Sequence, residues 1–97
     1  MKIENMISNA GNKIKNQFKI YDGCITYFKS YNSVVAEVNR KTGETKLYKD
    51  WGYSNTTRKY LYQFLWECGR NDLSNRKKLE KAIKAETVKV YDNSPEF

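Results

Sequence analysis

One stretch of the chain, residues 51–68, carries the clearest period of apolar positions. Apolar side chains recur there at the i, i+3, i+4 and i+7 spacing that defines one face of a helix. Ser54, Asn55 and Thr56 offer side-chain oxygens to the free amides at its start, and Gly69 supplies a left-handed stop. The core-facing residues of this predicted helix are Leu61, Phe64, Leu65 and Cys68.

Upstream of this helix, apolar and polar positions alternate as in strands that bury one face. The alternating segments are residues 18–21, 24–31, 34–39 and 44–48, and residues 87–91 repeat the pattern near the end of the chain. The dipeptide Asp22-Gly23 favours a tight hairpin because both residues tolerate positive φ. These segments predict an antiparallel meander of three to five strands.

A second helix is predicted for residues 74–85, with Ser74 or Asp72 as its N-cap. Its apolar side consists of Leu79, Ala82 and Ile83, and its opposite side of Lys77, Lys81 and Lys84. The predicted fold class is therefore α+β, in which a central amphipathic helix and a second, basic helix pack on the sheet.

The two ends of the chain lack a clear period. Residues 1–16 are rich in Asn and Lys and predict either a flexible arm or a short amphipathic helix. Residues 92–97 hold the only proline and predict a tail. A chain of 97 residues has room for one small domain, residues 1–97, with one modest core.

Two aromatic residues link the sheet to the central helix. Trp51 and Tyr53 are two positions apart, so in an extended segment they would face the same way. We predict that both join the core and that Trp51 fills the seam between sheet and helix. The alternative for Trp51 is a solvent-facing platform on which a ligand stacks.

The net charge of the chain indicates the kind of partner that it would bind. Eighteen Lys and Arg oppose 11 Asp and Glu, which gives a formal net charge of +7. Such a surface favours anionic partners such as nucleic acid or an acidic protein face. The alternative is an ordinary solvated surface in a composition rich in Lys and Asn.

The residue types present exclude several kinds of chemistry. The chain has no histidine, which excludes Ser-His-Asp and Cys-His nucleophiles, and Cys24 and Cys68 alone cannot complete a four-ligand zinc site. We therefore expect no enzymatic activity, no cofactor and no metal. No apolar run is long enough to span a membrane, and no secretory signal is present, so we expect reduced thiols in the cytoplasm.

The polar side of the central helix is the main candidate for binding. At 100° per residue, a cationic and aromatic set lies opposite the apolar face: Lys59, Tyr62, Gln63, Trp66 and Arg70. Exposed rings beside cations bind nucleic acid by stacking and phosphate neutralisation, and the same mix is typical of protein hot spots. The alternative is a second core layer that covers Tyr62 and Trp66. The lysine side of the second helix would follow a phosphate backbone.

The sheet offers a further candidate, whose register the sequence leaves open. Its outer face carries either Tyr27, Lys29 and Tyr31 or Thr26, Phe28 and Ser30. The first set could stack bases as RNA-binding sheets do.

Two segments resemble a known pattern. Residues 27–36, YFKSYNSVVA, and residues 51–65, WGYSNTTRKYLYQFL, are similar to a small domain of unknown function from phages, plasmids and other mobile elements of low-GC Gram-positive bacteria. Its pattern is an aromatic-x-Ser-Tyr strand followed by Trp-x-Tyr-Ser-x-Thr-Thr-x-Lys-(Tyr/His)-Leu-x-x-Phe-Leu. The resemblance spans residues 27–65.

The resemblance implies a biological setting more than a chemistry. Small proteins in that setting often antagonise host defence, and some resemble inhibitors of CRISPR nucleases. The resulting hypothesis is a non-enzymatic anti-CRISPR protein in the bacterial host cytoplasm, which binds a Cas nuclease or its guide RNA/DNA complex. The alternatives are a general nucleic-acid-binding accessory protein and a self-associating structural module.

Overall fold

The computed structural model describes all residues 1–97, and six strands form one sheet whose spatial order follows the chain. The strands are β1 (Lys2–Ile7), β2 (Lys13–Asp22), β3 (Ile25–Ser30), β4 (Ser33–Asn39), β5 (Thr45–Tyr48) and β6 (Lys89–Tyr91). Neighbours are antiparallel from β1 to β5, whereas β6 is parallel to β5. The predicted α+β class is confirmed. The prediction of three to five strands is wrong in number, and the last strand departs from the antiparallel pattern.

The parallel pairing of β6 follows from what lies before it. Two helices, α1 (Asn55–Glu67) and α2 (Arg76–Lys84), separate β5 from β6, with a 3₁₀ turn at Asn71–Leu73 between them. A parallel neighbour needs a crossover of at least about a dozen residues, and this connection is long enough to bring the chain back in the same direction as β5. Neither helix is long and apolar enough to cross a bilayer.

The helix ends follow capping chemistry. The Thr57 amide donates to Ser54 Oγ at 3.0 Å, and Gly69 has a φ of 82° directly after the C-cap, Cys68, as the sequence predicts. The second helix begins later than predicted, because Asn75 is its N-cap and accepts from the Lys78 amide at 2.9 Å.

The N-terminal segment is a hairpin, so the prediction of an arm or a helix for residues 1–16 is wrong. Met6 and Ile14 are buried in the core, and Asn5 Nδ2 donates to the Ile14 carbonyl at 2.7 Å. Gly11, with a φ of 84°, forms the turn between β1 and β2. Strand pairing satisfies the backbone hydrogen-bonding groups here and buries Met6 and Ile14. The stability gained from these contacts outweighs the low strand propensity of Asn and Gly.

The first β-hairpin of the predicted meander has a slightly different turn. Asp22 pairs with Ile25, so the turn residues are Gly23 and Cys24, and Asp22 belongs to β2. Gly23 has a φ of 61° at the first central position, where hairpin turns favour glycine.

The core lies between the helices and one face of the sheet. Phe28 of β3 stacks on Phe64 of α1 with ring centroids 5.4 Å apart, and Ser30 Oγ lies 2.9 Å from Thr57 Oγ1. Thr26, Phe28 and Ser30 therefore face the helices. Tyr27 and Lys29 lie on the outer face, where the tail residue Phe97 packs 4.8 Å from the Tyr27 ring and accepts a hydrogen bond from Lys29.

The predicted core residues divide into three groups. Leu61, Phe64 and Leu65 are completely buried, as predicted. Trp51 and Cys68 are half-buried and pack against the core. Tyr53 is 57% exposed, so its assignment to the core is wrong. The segment turns instead of extending, since the Tyr53 amide donates to the Asp50 carbonyl, and residues two apart then point in different directions.

Candidate nucleic-acid interface

A shallow depression of about 430 Å³ lies on the solvent side of α1. Its lining residues are Asn9, Lys59, Tyr62, Gln63, Trp66 and Ser74. Four of the five residues predicted from the helical angle therefore lie together. Asn9 and Ser74 come from the β1–β2 turn and from the end of the 3₁₀ turn, and no periodicity in the sequence points to them.

Trp66 is the exposed large hydrophobic residue of α1, with 61% of its surface accessible. Lys59 is also exposed, two turns earlier on the same side of the helix. Large aromatic side chains are usually mostly buried, so an exposed indole in a depression that a lysine also lines is informative. The arrangement provides a ring face and a positive charge within one depression.

Tyr62 has a different role from Trp66. It is half-buried and packs against the core, and its hydroxyl is buried without a hydrogen-bond partner. Burial raises the pKa of the Tyr62 hydroxyl, and the nearby Glu80 carboxylate adds to this, against the opposing effects of Arg58 and Arg76. The alternative of a second core layer therefore describes Tyr62 and does not describe Trp66.

Gln63 connects α1 to the first strand. Its Nε2 atom donates to the Ile7 carbonyl at 2.7 Å and to Glu67 Oε2 at 2.9 Å. Both amide protons are therefore used within the chain, and only Oε1 is free to accept from a ligand.

Arg70 does not belong to this surface, which corrects its assignment to the binding set. The helix ends at Glu67, and Arg70 turns back towards the β4–β5 turn. Its guanidinium donates to the Gly43 carbonyl, to Thr45 Oγ1 at 2.9 Å, and to both carboxylate oxygens of Asp72. The hydrogen bond from Arg70 lowers the pKa of the Asp72 carboxyl. Arg70 is a structural residue that joins the end of α1 to the sheet.

The acid closest to Trp66 in the chain, Glu67, is neutralised. Lys19 of β2 approaches Glu67 at 2.9 Å and Glu4 at 3.6 Å. Partial burial lowers the pKa of Lys19, but the hydrogen bond and charge of Glu67 outweigh this, and the net shift is upward. No local pattern in the sequence points to Lys19, because its partner Glu67 lies 48 positions away along the chain.

The positive charge of the chain is concentrated in α2. Its nine residues include five cations and one acid, and that acid, Glu80, pairs with Arg76 at 2.7 Å. Lys77, Lys81 and Lys84 are exposed and lie on the side of the helix opposite the buried Leu79. The depression comes close to α2 through Ser74, which precedes the N-cap of that helix, and we group Lys59, Trp66 and these three lysines under the name α1–α2 face.

The comparisons with known proteins give one match. A family of unknown function (DUF8033) matches residues 1–81. The match agrees with the resemblance to a small domain of unknown function, and it extends well beyond residues 27–65, from β1 into α2. No curated protein and no solved structure matches the chain.

Proposed function

Since the chain belongs to DUF8033, a family of unknown function, we propose from its geometry that it is a non-enzymatic binding protein. Its ligand is a nucleic acid, free or within a nucleoprotein, that lies against the α1–α2 face. The observation that carries this proposal is the exposed indole of Trp66 within a depression shared with Lys59, close to a helix that bears five cations.

Each part of the face has a physical task in this proposal. Stacking of a base on the Trp66 ring contributes about 1–3 kcal/mol of binding free energy, and this contribution depends little on which base it is. Lys77, Lys81 and Lys84 neutralise phosphates and release counterions, which makes the affinity depend on salt. Neither contribution reads a base edge, so the expected sequence preference is small.

The most specific form of the proposal is inhibition of a CRISPR–Cas nuclease in a bacterial host. It rests on the resemblance described above and on the sign of the charge. A mimic of DNA would be acidic, whereas this chain carries +7 and suits guide RNA, target DNA or an acidic patch of the effector. The alternative, a general nucleic-acid-binding accessory protein, uses the same face without a nuclease partner.

The test is oligonucleotide binding measured by fluorescence anisotropy over a series of salt concentrations. The triple variant Lys77→Gln, Lys81→Gln, Lys84→Gln should reduce the slope of log K against log salt by about 2 for a single strand. The matched control removes three exposed lysines elsewhere, Lys13, Lys41 and Lys49, and should leave most of the slope intact.

Equal losses in the two triple variants would show that only net charge matters and would refute the assignment of the face. Trp66→Ala should weaken binding about 5- to 150-fold if a base stacks on the indole. Cleavage assays with purified effector complexes then separate the two forms of the proposal. If the protein inhibits cleavage and the α2 lysine variant does not, the nuclease-inhibitor form is supported. If the protein binds oligonucleotides but leaves cleavage unchanged, the accessory-protein form is supported.

A further inference from the structure

A second depression, of about 350 Å³, lies where the β3–β4 turn approaches the link between β5 and α1. Its lining residues are Tyr31, Asn32, Ser33, Asp50 and Tyr53. The two segments that carry the family resemblance thus meet in space at this depression. Nothing in the proposed function uses it.

The polar groups of this depression have no partners within the chain. None of the five lining side chains donates or accepts a hydrogen bond, and the Asp50 carboxylate forms no ion pair although the chain has 18 cations. The rings of Tyr31 and Tyr53 are 41% and 57% exposed. A carboxylate without a partner in the chain and two accessible phenol rings therefore line the same depression and are available to a ligand.

The backbone of Tyr31 is held in an unfavourable conformation. Its φ of 57° lies in the left-handed region, where a bulky side chain costs about 1–2 kcal/mol relative to glycine. The Tyr31 amide is fixed by a 2.8 Å hydrogen bond to the Asn16 carbonyl. The two-residue turn between Ser30 and Ser33 requires this backbone conformation at its first central position, and the turn places Tyr31 in the lining of the depression.

A chain of hydroxyl groups holds the two sides of the depression together. Ser30, next to Tyr31, lies 2.9 Å from the Thr57 hydroxyl, and the Ser54 hydroxyl, next to Tyr53, donates to the same Thr57 oxygen at 3.0 Å. Ser30 and Thr57 are fully buried. These hydrogen bonds therefore connect the segments that carry Tyr31 and Tyr53, and a ligand would meet a preorganised site.

From these observations we propose that the depression binds an arginine side chain presented by a protein partner. The Asp50 carboxylate offers two acceptors to the guanidinium fork, and the rings of Tyr31 and Tyr53 attract a planar cation. Phosphate is disfavoured by the Asp50 charge. The rest of the surface is cationic and would repel a partner with a large positive net charge. The partner therefore presents a single arginine at this depression and is not basic as a whole.

The test is an NMR titration of the whole chain with N-acetyl-arginine amide. Backbone amides of residues 30–33 and 50–53 should shift together, and the neutral N-acetyl-citrulline amide should shift them at least about tenfold less effectively. Asp50→Asn should weaken binding about tenfold. Its matched control is Asp92→Asn, which removes an exposed acid outside the depression and should change nothing.

A glycine variant separates binding from folding. Tyr31→Gly relieves the left-handed backbone, so it should keep or raise the melting temperature while it abolishes the arginine-dependent shifts. Equal shifts with arginine and citrulline, or unchanged affinity in folded Asp50→Asn, would overturn the proposal. Neither result bears on the oligonucleotide measurements at the α1–α2 face, so the two proposals fail separately.

Discussion

Replacement of Arg70 by alanine should destabilise the fold far more than replacement of Arg76, an arginine on the exposed side of α2. The Arg70 guanidinium is partly buried, with 24% of its side chain exposed, and it serves acceptors at Gly43, Thr45 and Asp72. Arg76 provides the comparison, because its side chain is exposed and pairs with the exposed carboxylate of Glu80.

The magnitude follows from the kinds of contact that are lost. Hydrogen bonds from a charged donor contribute about 1.5–3 kcal/mol each when buried, and partial exposure reduces this for the bonds to Gly43 and Thr45. The exposed pair with Asp72 adds at most about 1 kcal/mol. We expect a total loss of about 2–3 kcal/mol, which lowers Tm by about 10–20 °C in a domain of this size.

The assay is thermal and urea unfolding followed by circular dichroism. Arg70→Lys should recover less than half of the loss, because an ammonium group cannot reproduce the planar fork. Arg76→Ala should unfold close to the parent protein. If Arg70→Ala unfolds within about 2 °C of Arg76→Ala, the structural role assigned to Arg70 is wrong.

Three further predictions concern thiols, caps and charge. Burial raises the pKa of the Cys68 thiol to about 11, so a thiol reagent at pH 8 should modify exposed Cys24 quickly and half-buried Cys68 far more slowly, and two equally fast thiols would contradict this. Ser54→Ala should cost about 1 kcal/mol in urea unfolding, and Ser54→Asn, which can still cap, should cost less; equal losses would argue against the cap. The parent protein should be more stable to unfolding than Glu67→Gln, and this difference should be full at neutral pH. It should fall as the pH rises past the ordinary lysine pKa of about 10.4, because the pKa of Lys19 is raised only in the folded state. A stability difference that does not change with pH would refute this pairing.

The sequence predicted the central helix well because its signals agree with one another. The period of Leu61, Phe64 and Leu65, the cap at Ser54 and the stop at Gly69 all favour the same element, and the structure has each of them. The angular argument also placed Trp66 correctly on the solvent side.

Other features depend on contacts between distant residues, which no local pattern carries. The strand β1 forms because Met6 and Ile14 are buried together across a hairpin, although the local composition favours a loop. Arg70 was misplaced because the helical angle was extended past the end of the helix. Tyr53 was misplaced because a turn, and not a strand, precedes α1.

The sequential order of the sheet has a consequence for how the chain folds. Each strand from β1 to β5 pairs with its neighbour in the chain, so these contacts close short loops and need little chain entropy. The strand β6 can pair only after α1 and α2 have packed, and we expect its amides to exchange with solvent first. Until β6 arrives, the edge of β5 presents unpaired backbone groups, so a chain that has not yet placed β6 exposes a second open edge, in addition to that of β1, at which it can aggregate.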